Sequence, residues 1–133
     1  MIYLAAPYTH PDPKVMDERV YKATEVAAML IALFGVAVLS PLTLTHPIAK
    51  VLEEQHGLES GPEAKLDHNF WVGSYDAALL RACDTIAVLQ LDGWSESTGV
   101  QMELDLAEEY GMKVIIINPF YLHDRLTKIM VSN

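Results

Sequence analysis

The chain has 133 residues, 51% of them hydrophobic, and its 9 basic and 18 acidic side chains give a formal net charge of −9. That length suits one domain, 1–133, and the acidic balance with scattered Lys and Arg argues against nucleic-acid binding driven by phosphate neutralisation. The single Cys83 excludes an internal disulfide, no run is long enough for a membrane span, and the N-terminus reads as a strand rather than a signal peptide, so a cytoplasmic protein without a membrane partner is expected.

Ile2 to Ala6 reads as a buried strand. Asp17 to Phe34 follows as a helix, with Val20, Ala23, Ala27, Leu30, Ile31 and Phe34 on one stripe. Val36 to Leu39 is a second short strand ending at Ser40-Pro41. Thr43 to Pro62 is mixed: Ile48 to Gln55 has helical spacing, His56 to Pro62 reads as a loop, and the stretch from Thr43 to Leu66 is placed to control specificity. Asp67 to Ala82 is predicted as a helix, Thr85 to Leu91 as a strand, Gly99 to Tyr110 as a helix and Lys113 to Asn118 as a strand. Leu122 to Val131 is predicted as a last short helix, and the apolar stretch from Tyr110 to Val131 suits a homodimer interface.

Strands apolar along their whole length are covered on both faces. The predicted fold is therefore α/β, a three-layer α/β/α doubly wound parallel sheet of four or five strands, flavodoxin-like or Rossmann-like. Ligands bind such sheets beyond the C-terminal strand ends. Three loops gather there: Ala6 to Thr9, Ser40 to His46, and Asp92 to Ser97. They carry neither the glycine-rich dinucleotide fingerprint nor the phosphate-loop lysine motif.

The run from Gly93 to Glu103, Gly-Trp-Ser-Glu-Ser-Thr-Gly-Val-Gln-Met-Glu, follows the third strand and opens a helix. With Ser97 as N-cap, unpaired first-turn N–H groups and the helix dipole favour an anion at the turn made by Ser95, Ser97, Thr98 and Gly99. Glu103 lies four residues after Gly99 on the same face. Helix side chains lean toward the N-terminus, so its carboxylate projects back over a position with no Cβ. The competing reading is a capped surface helix with one more glutamate.

Asp76 is a second candidate, on the half of its helix that approaches the ligand edge; a helix aspartate is otherwise solvated. Asp84, eight residues on, lies at the opposite edge and reads as structural, bonding local backbone. Tyr3 sits inside the first strand, where its hydroxyl needs a partner; a pocket carboxylate is one, and ordinary core packing is the alternative. Tyr8 and Trp94 occupy two loops at the ligand edge and suit stacking on a base, or a lid or interface role. His46 suits contact with a base or acid catalysis, although a lone loop histidine usually does neither. The spacing of His46, His56 and His68 matches no metal motif, so neither metal nor cofactor is expected. Met16, Met29, Met102 and Met112 read as core filler, and Cys83 as a small buried apolar residue.

Tyr3-Leu4-Ala5-Ala6-Pro7, Asp76 with Asp84 eight residues on, and Ser97-Thr98-Gly99-Val100-Gln101-Met102-Glu103 together resemble the nucleoside 2-deoxyribosyltransferase superfamily, across residues 2–118. The nearest branch looks like small, often phage-associated members with a Gly-Trp-x-x-Ser-x-Gly-x-x-x-Glu signature. The resemblance implies that Glu103 is a nucleophile for the anomeric carbon of a deoxyribose, Asp76 the acid/base for the departing base, and Tyr3 the residue that orients the nucleophile. Pro7 and Tyr8 of the first loop join the substrate-binding set with Trp94 and His46.

True transferases of the superfamily have aspartate six residues before the nucleophile. Deoxynucleoside 5′-monophosphate N-glycosidases have serine there and glycine two residues later, both on the 5′-phosphate; Ser97 and Gly99 match that version. A hydroxyl in place of a carboxylate removes repulsion toward phosphate. The first loop departs from the glycosidase pattern, whose Gly-Ser-x-Arg stretch is replaced by Ala6-Pro7-Tyr8-Thr9 without arginine. The resemblance implies an N-glycosidase for a (deoxy)nucleoside 5′-monophosphate, working on a small-molecule partner as a homodimer or higher oligomer. The alternatives are a transferase moving deoxyribose between bases, and a nucleotide-binding module without turnover.

Overall fold

The computed structural model describes residues 1–57, 67 and 69–121 of the chain. Strand β1 is Ile2–Ala5, and after a short loop helix α1 runs Pro13–Phe34. The helix starts four residues ahead of the expected Asp17. The reason is local: the Asp12 carboxylate accepts the Lys14 N–H at 3.0 Å, and Pro13 occupies the first helical position, where a missing N–H costs nothing. It stops at Gly35, which is left-handed at φ 61° and donates its N–H to the Ile31 carbonyl.

Strand β2 is only Val38–Leu39, and helix α2 begins at once, Pro41–His56. The Ser40-Pro41 pair, expected to close a strand, opens this helix instead. Pro47 lies inside it and removes one i→i−4 bond without ending it. The expected helix over 67–82 is a π-helix, Asn69–Asp76, running into a single turn of α-helix, α3, Ala77–Leu80. Strand β3 is Thr85–Leu89, a 3₁₀ turn spans Trp94–Glu96, α4 is Thr98–Glu109 and β4 is Lys113–Ile117. A helical turn opens at Pro119. The expected helix Leu122 to Val131 lies outside the described residues, as does the 58–66 part of the segment between α2 and the π-helix.

The four strands form one parallel sheet in the order β2-β1-β3-β4. Tyr3 pairs with Leu39 on one side and Ile86 on the other, and Ile86 in turn pairs with Val114. This is the expected three-layer α/β/α arrangement. Because side chains alternate along a strand, Leu4, Ala87, Leu89 and Ile117 pack with Ala23, Val26, Met29 and Leu30 of α1 and Leu42 of α2. Tyr3, Ala5, Ile86 and Val88 face the other way, onto Leu80, Val100 and Ala107 of α3 and α4. From β1 the chain winds outward to β2, and from β3 to β4, so the winding reverses between β1 and β3. The C-terminal ends of those two central strands are the ligand position in such sheets.

Asp84 differs from expectation. It pairs across 83 residues with the N-terminal ammonium at 3.5 Å rather than serving only local backbone, because β1 and β3 start side by side.

Candidate active site

A cavity of about 1000 Å³ opens at this winding reversal. Glu103, one turn into α4, reaches its wall although only 5% of its surface is exposed. The Tyr3 hydroxyl donates a buried hydrogen bond to Glu103 Oε2, tying the centre of β1 to α4 across 100 residues. Tyr3 is fully buried, and burial first, then the charges of Glu103 and Asp76, push its phenol far above its usual range, so it stays a donor. Loss of water also pushes Glu103 up to about 8; the Tyr3 bond pulls it back and the neighbouring Asp76 charge adds to the rise.

Asp76 closes the π-helix and lines the same cavity. Its Oδ1 is buried and has no hydrogen-bond partner among the described residues, and burial raises the carboxyl to about 7. A carboxyl in that state holds a proton near neutral pH and has an oxygen to offer a ligand.

The π-helix sets the aim of Asp76. In an α-helix, at about 100° per residue, Trp71 and Asp76 would point some 140° apart. The i→i+5 winding brings them onto one side, and both line the cavity. Trp71 is braced by Phe70 and Tyr75, with ring centroids 5.1 and 5.5 Å from its own.

The helix N-terminus is built as its sequence suggests. Ser97 is extended at φ −72° and ψ 117°, and its Oγ accepts the Val100 N–H at 3.2 Å, while its carbonyl accepts that of Gln101 at 3.0 Å. The earlier first-turn N–H groups, of Thr98 and Gly99, precede any intrahelical acceptor. Ser97, Thr98 and Gly99 all line the cavity with Glu103 and Asp76. Pro7 and Tyr8 line it from the β1 loop.

Three singled-out residues sit elsewhere. Ser95 is exposed and is not among the lining residues. Trp94 packs beneath the turn against the buried cluster around Tyr3 and Val100; the indole at the cavity is that of Trp71. His46 is in α2, behind Tyr8, with its Nδ1 2.6 Å from the Tyr8 hydroxyl.

The residue that motif reading passed over is Arg19. The first loop has no arginine, but α1 brings one to it: Arg19 Nη1 donates to the carbonyls of Thr9 at 3.0 Å and Tyr8 at 3.4 Å, and Nη2 to that of Asp92 at 3.0 Å. It joins the loops after β1 and β3 and is the one basic side chain among the described residues lining the cavity, facing Asp67, Asp76, Glu96 and Glu103. Gly93, left-handed at φ 88°, packs against it; a Cβ there would stand 3.0 Å from Nη2. Its position one helix away from the loop hides it from motif spacing, and with Lys14 and Lys22 on the same helix nothing in the sequence sets this cation apart.

Among the described residues no group of three or more His, Cys, Asp or Glu is placed to hold a metal ion, and no helix is long and apolar enough to cross a membrane.

Fold and site together define a parallel α/β domain with a buried glutamate, a half-buried aspartate and a buried tyrosine at its winding reversal, beside a capped helix N-terminus. Residues 1–119 match the model of a domain of unknown function, DUF1937, and the chain belongs to that family. No curated protein matches it.

Proposed function

We propose that the protein is an N-glycosidase that cleaves the base–sugar bond of a (deoxy)nucleoside 5′-monophosphate. The observation that carries this reading is the hydrogen bond from Tyr3 to a buried Glu103 in a cavity shared with Asp76, whose buried oxygen is unpaired. Two carboxyls in different surroundings at one site, one bonded to Tyr3 and one with an unpaired oxygen, suit the two roles of glycosidic cleavage. An ionised Glu103 oxygen attacks C1′ as the C1′–N bond breaks, its electron pair goes to the base nitrogen, and protonated Asp76 delivers the proton. Water then attacks C1′ of the glycosyl ester, Asp76 takes a proton from it, and Glu103 leaves as a carboxylate.

Supporting the 5′-phosphate are the Thr98 and Gly99 N–H groups at the α4 dipole and the Arg19 guanidinium on the same cavity. The neutral Ser97 cap adds no charge against an anion. The protein is expected to act on a free nucleotide in solution, as a homo-oligomer.

A pooled set of nucleosides and monophosphates, incubated with the protein and resolved by chromatography, tests the reading. Free base should appear from one or more monophosphates with water as acceptor. New nucleoside appearing only when a second base is supplied would make the protein a transferase. Thermal stabilisation by nucleotide with no product over hours would make it a binding module.

A further inference from the structure

Tyr8, His46, Asp17 and Lys50 form a polar chain that the cleavage chemistry does not use. His46 Nε2 lies 3.0 Å from Asp17 Oδ1, and Lys50 Nζ lies 3.2 Å from the same oxygen. At its other end the imidazole meets the Tyr8 hydroxyl at 2.6 Å, with the two rings edge to face. The chain links three elements behind one cavity wall: Tyr8 in the β1 loop, Asp17 on α1 between the lining residues Met16 and Arg19, and His46 on α2 between Thr45 and Ala49.

Protons in this chain have one arrangement when the imidazole is neutral. Lys50 and His46 hold the Asp17 carboxyl below its ordinary range, so it is an acceptor only. Nε2 therefore carries the hydrogen, and the Nδ1 lone pair faces Tyr8. Burial and the nearby Asp17 and Glu53 charges raise the Tyr8 phenol, which keeps its proton and donates it to Nδ1. The proton of Tyr8 is thus directed at His46, and the oxygen has only lone pairs left for anything else.

We infer that Tyr8 is a specificity-determining ligand contact that accepts a hydrogen bond from a donor group on the nucleotide, with His46 and Asp17 as positioning residues that hold its proton away. This rests on the nucleotide reading above and adds which chemistry the ligand must present there. Such a donor is a sugar 3′-hydroxyl or an exocyclic amino group of the base, and the two are separable by probe.

The test is binding by calorimetry at pH 8, above the ordinary imidazole range, with every protein, including the one otherwise wild type, carrying Glu103→Gln so that the probes are bound and not cleaved. The probes are a 2′-deoxynucleoside 5′-monophosphate with an amino base, its 3′-deoxy analogue, and its counterpart with a carbonyl in place of the amine. Wild type should bind one of the last two about 5–10-fold more weakly than the first, and Tyr8→Phe should erase that difference by weakening only the ligands that retain the donor. His46→Asn keeps an acceptor near the Nδ1 position and should preserve discrimination. His46→Gln places its amide at the Asp17 end and should lose it. The double variant of Tyr8→Phe with His46→Gln should be no worse than Tyr8→Phe alone. Equal effects of Tyr8→Phe on all three probes, or discrimination unchanged in that variant, would overturn the inference while leaving the nucleotide reading in place. Failure of wild type to bind any of the three would overturn both.

Discussion

At the scale of single residues, Glu103 is buried against the preference of its charge and is the group the proposed chemistry requires. An unfolded glutamate loses its proton near its ordinary value, whereas the folded one keeps it to about 8, and Asp76 keeps its own to about 7. Below the ordinary carboxyl range both states are protonated and stability is unaffected. As pH rises above it the unfolded chain releases protons the folded chain holds, so stability falls until the folded values are passed. Glu103→Gln removes this loss while retaining an acceptor for Tyr3. Thermal melts should show the variant and wild type alike near pH 4, with the variant more stable above pH 8 by an amount on the order of a few kcal/mol. A variant no more stable at pH 9 than at pH 4, relative to wild type, would mean that Glu103 is not ionised against burial. Between about 7 and 8 the pair holds one proton, mainly on Glu103; cleavage uses the tautomer with that proton on Asp76, a share of the singly protonated pair that does not change with pH, so activity should be bell-shaped with its maximum in that interval.

At the scale of elements, α4 serves as both cap and anchor: Ser97 closes its first turn and Glu103 lies six residues on. Ser97→Ala loses the bond to the Val100 N–H and should cost about 1 kcal/mol in stability by denaturant unfolding. If the turn also grips phosphate, the same variant should raise KM for a monophosphate several-fold and leave that for the parent nucleoside unchanged. Equal KM changes for both would confine Ser97 to capping. This helix was legible because its signals are local: serine, glycine and an apolar stripe within twelve residues. Helix α2 was less so, since Pro41 and Pro47 read as breaks unless Pro41 is recognised as a first helical position. The π-helix leaves no local pattern, since Asn69–Asp76 carries no proline, cap or residue spacing that marks i→i+5 winding. The loop position of Trp94 predicts an indole at the ligand edge, but in the 3₁₀ turn that starts there the half-buried ring packs against the core cluster instead.

At the scale of the whole molecule, the parallel order β2-β1-β3-β4 does what no segment does alone. It sets Tyr3 at the second position of β1 opposite α4, and it carries Arg19 across from α1 to the loop after β3. Tyr3 was readable as a buried hydroxyl in search of a partner. The partner itself followed only from the fold, since 100 residues separate them. Arg19 escaped because the expected cation was sought in the first loop, whereas the structure supplies it from the neighbouring helix. On the proposed reading, an acidic chain accommodates a phosphate here because oriented N–H groups and one guanidinium act locally, against a formal charge of −9 spread over the molecule.

The central claim is that Glu103 attacks the sugar. Base release from a cleaved monophosphate, measured side by side for wild type and Glu103→Gln near pH 7.5, tests it most directly. The expected result is a loss of about three orders of magnitude or more in kcat for a variant that melts no lower than wild type. Base release at the wild-type rate by folded Glu103→Gln would contradict it.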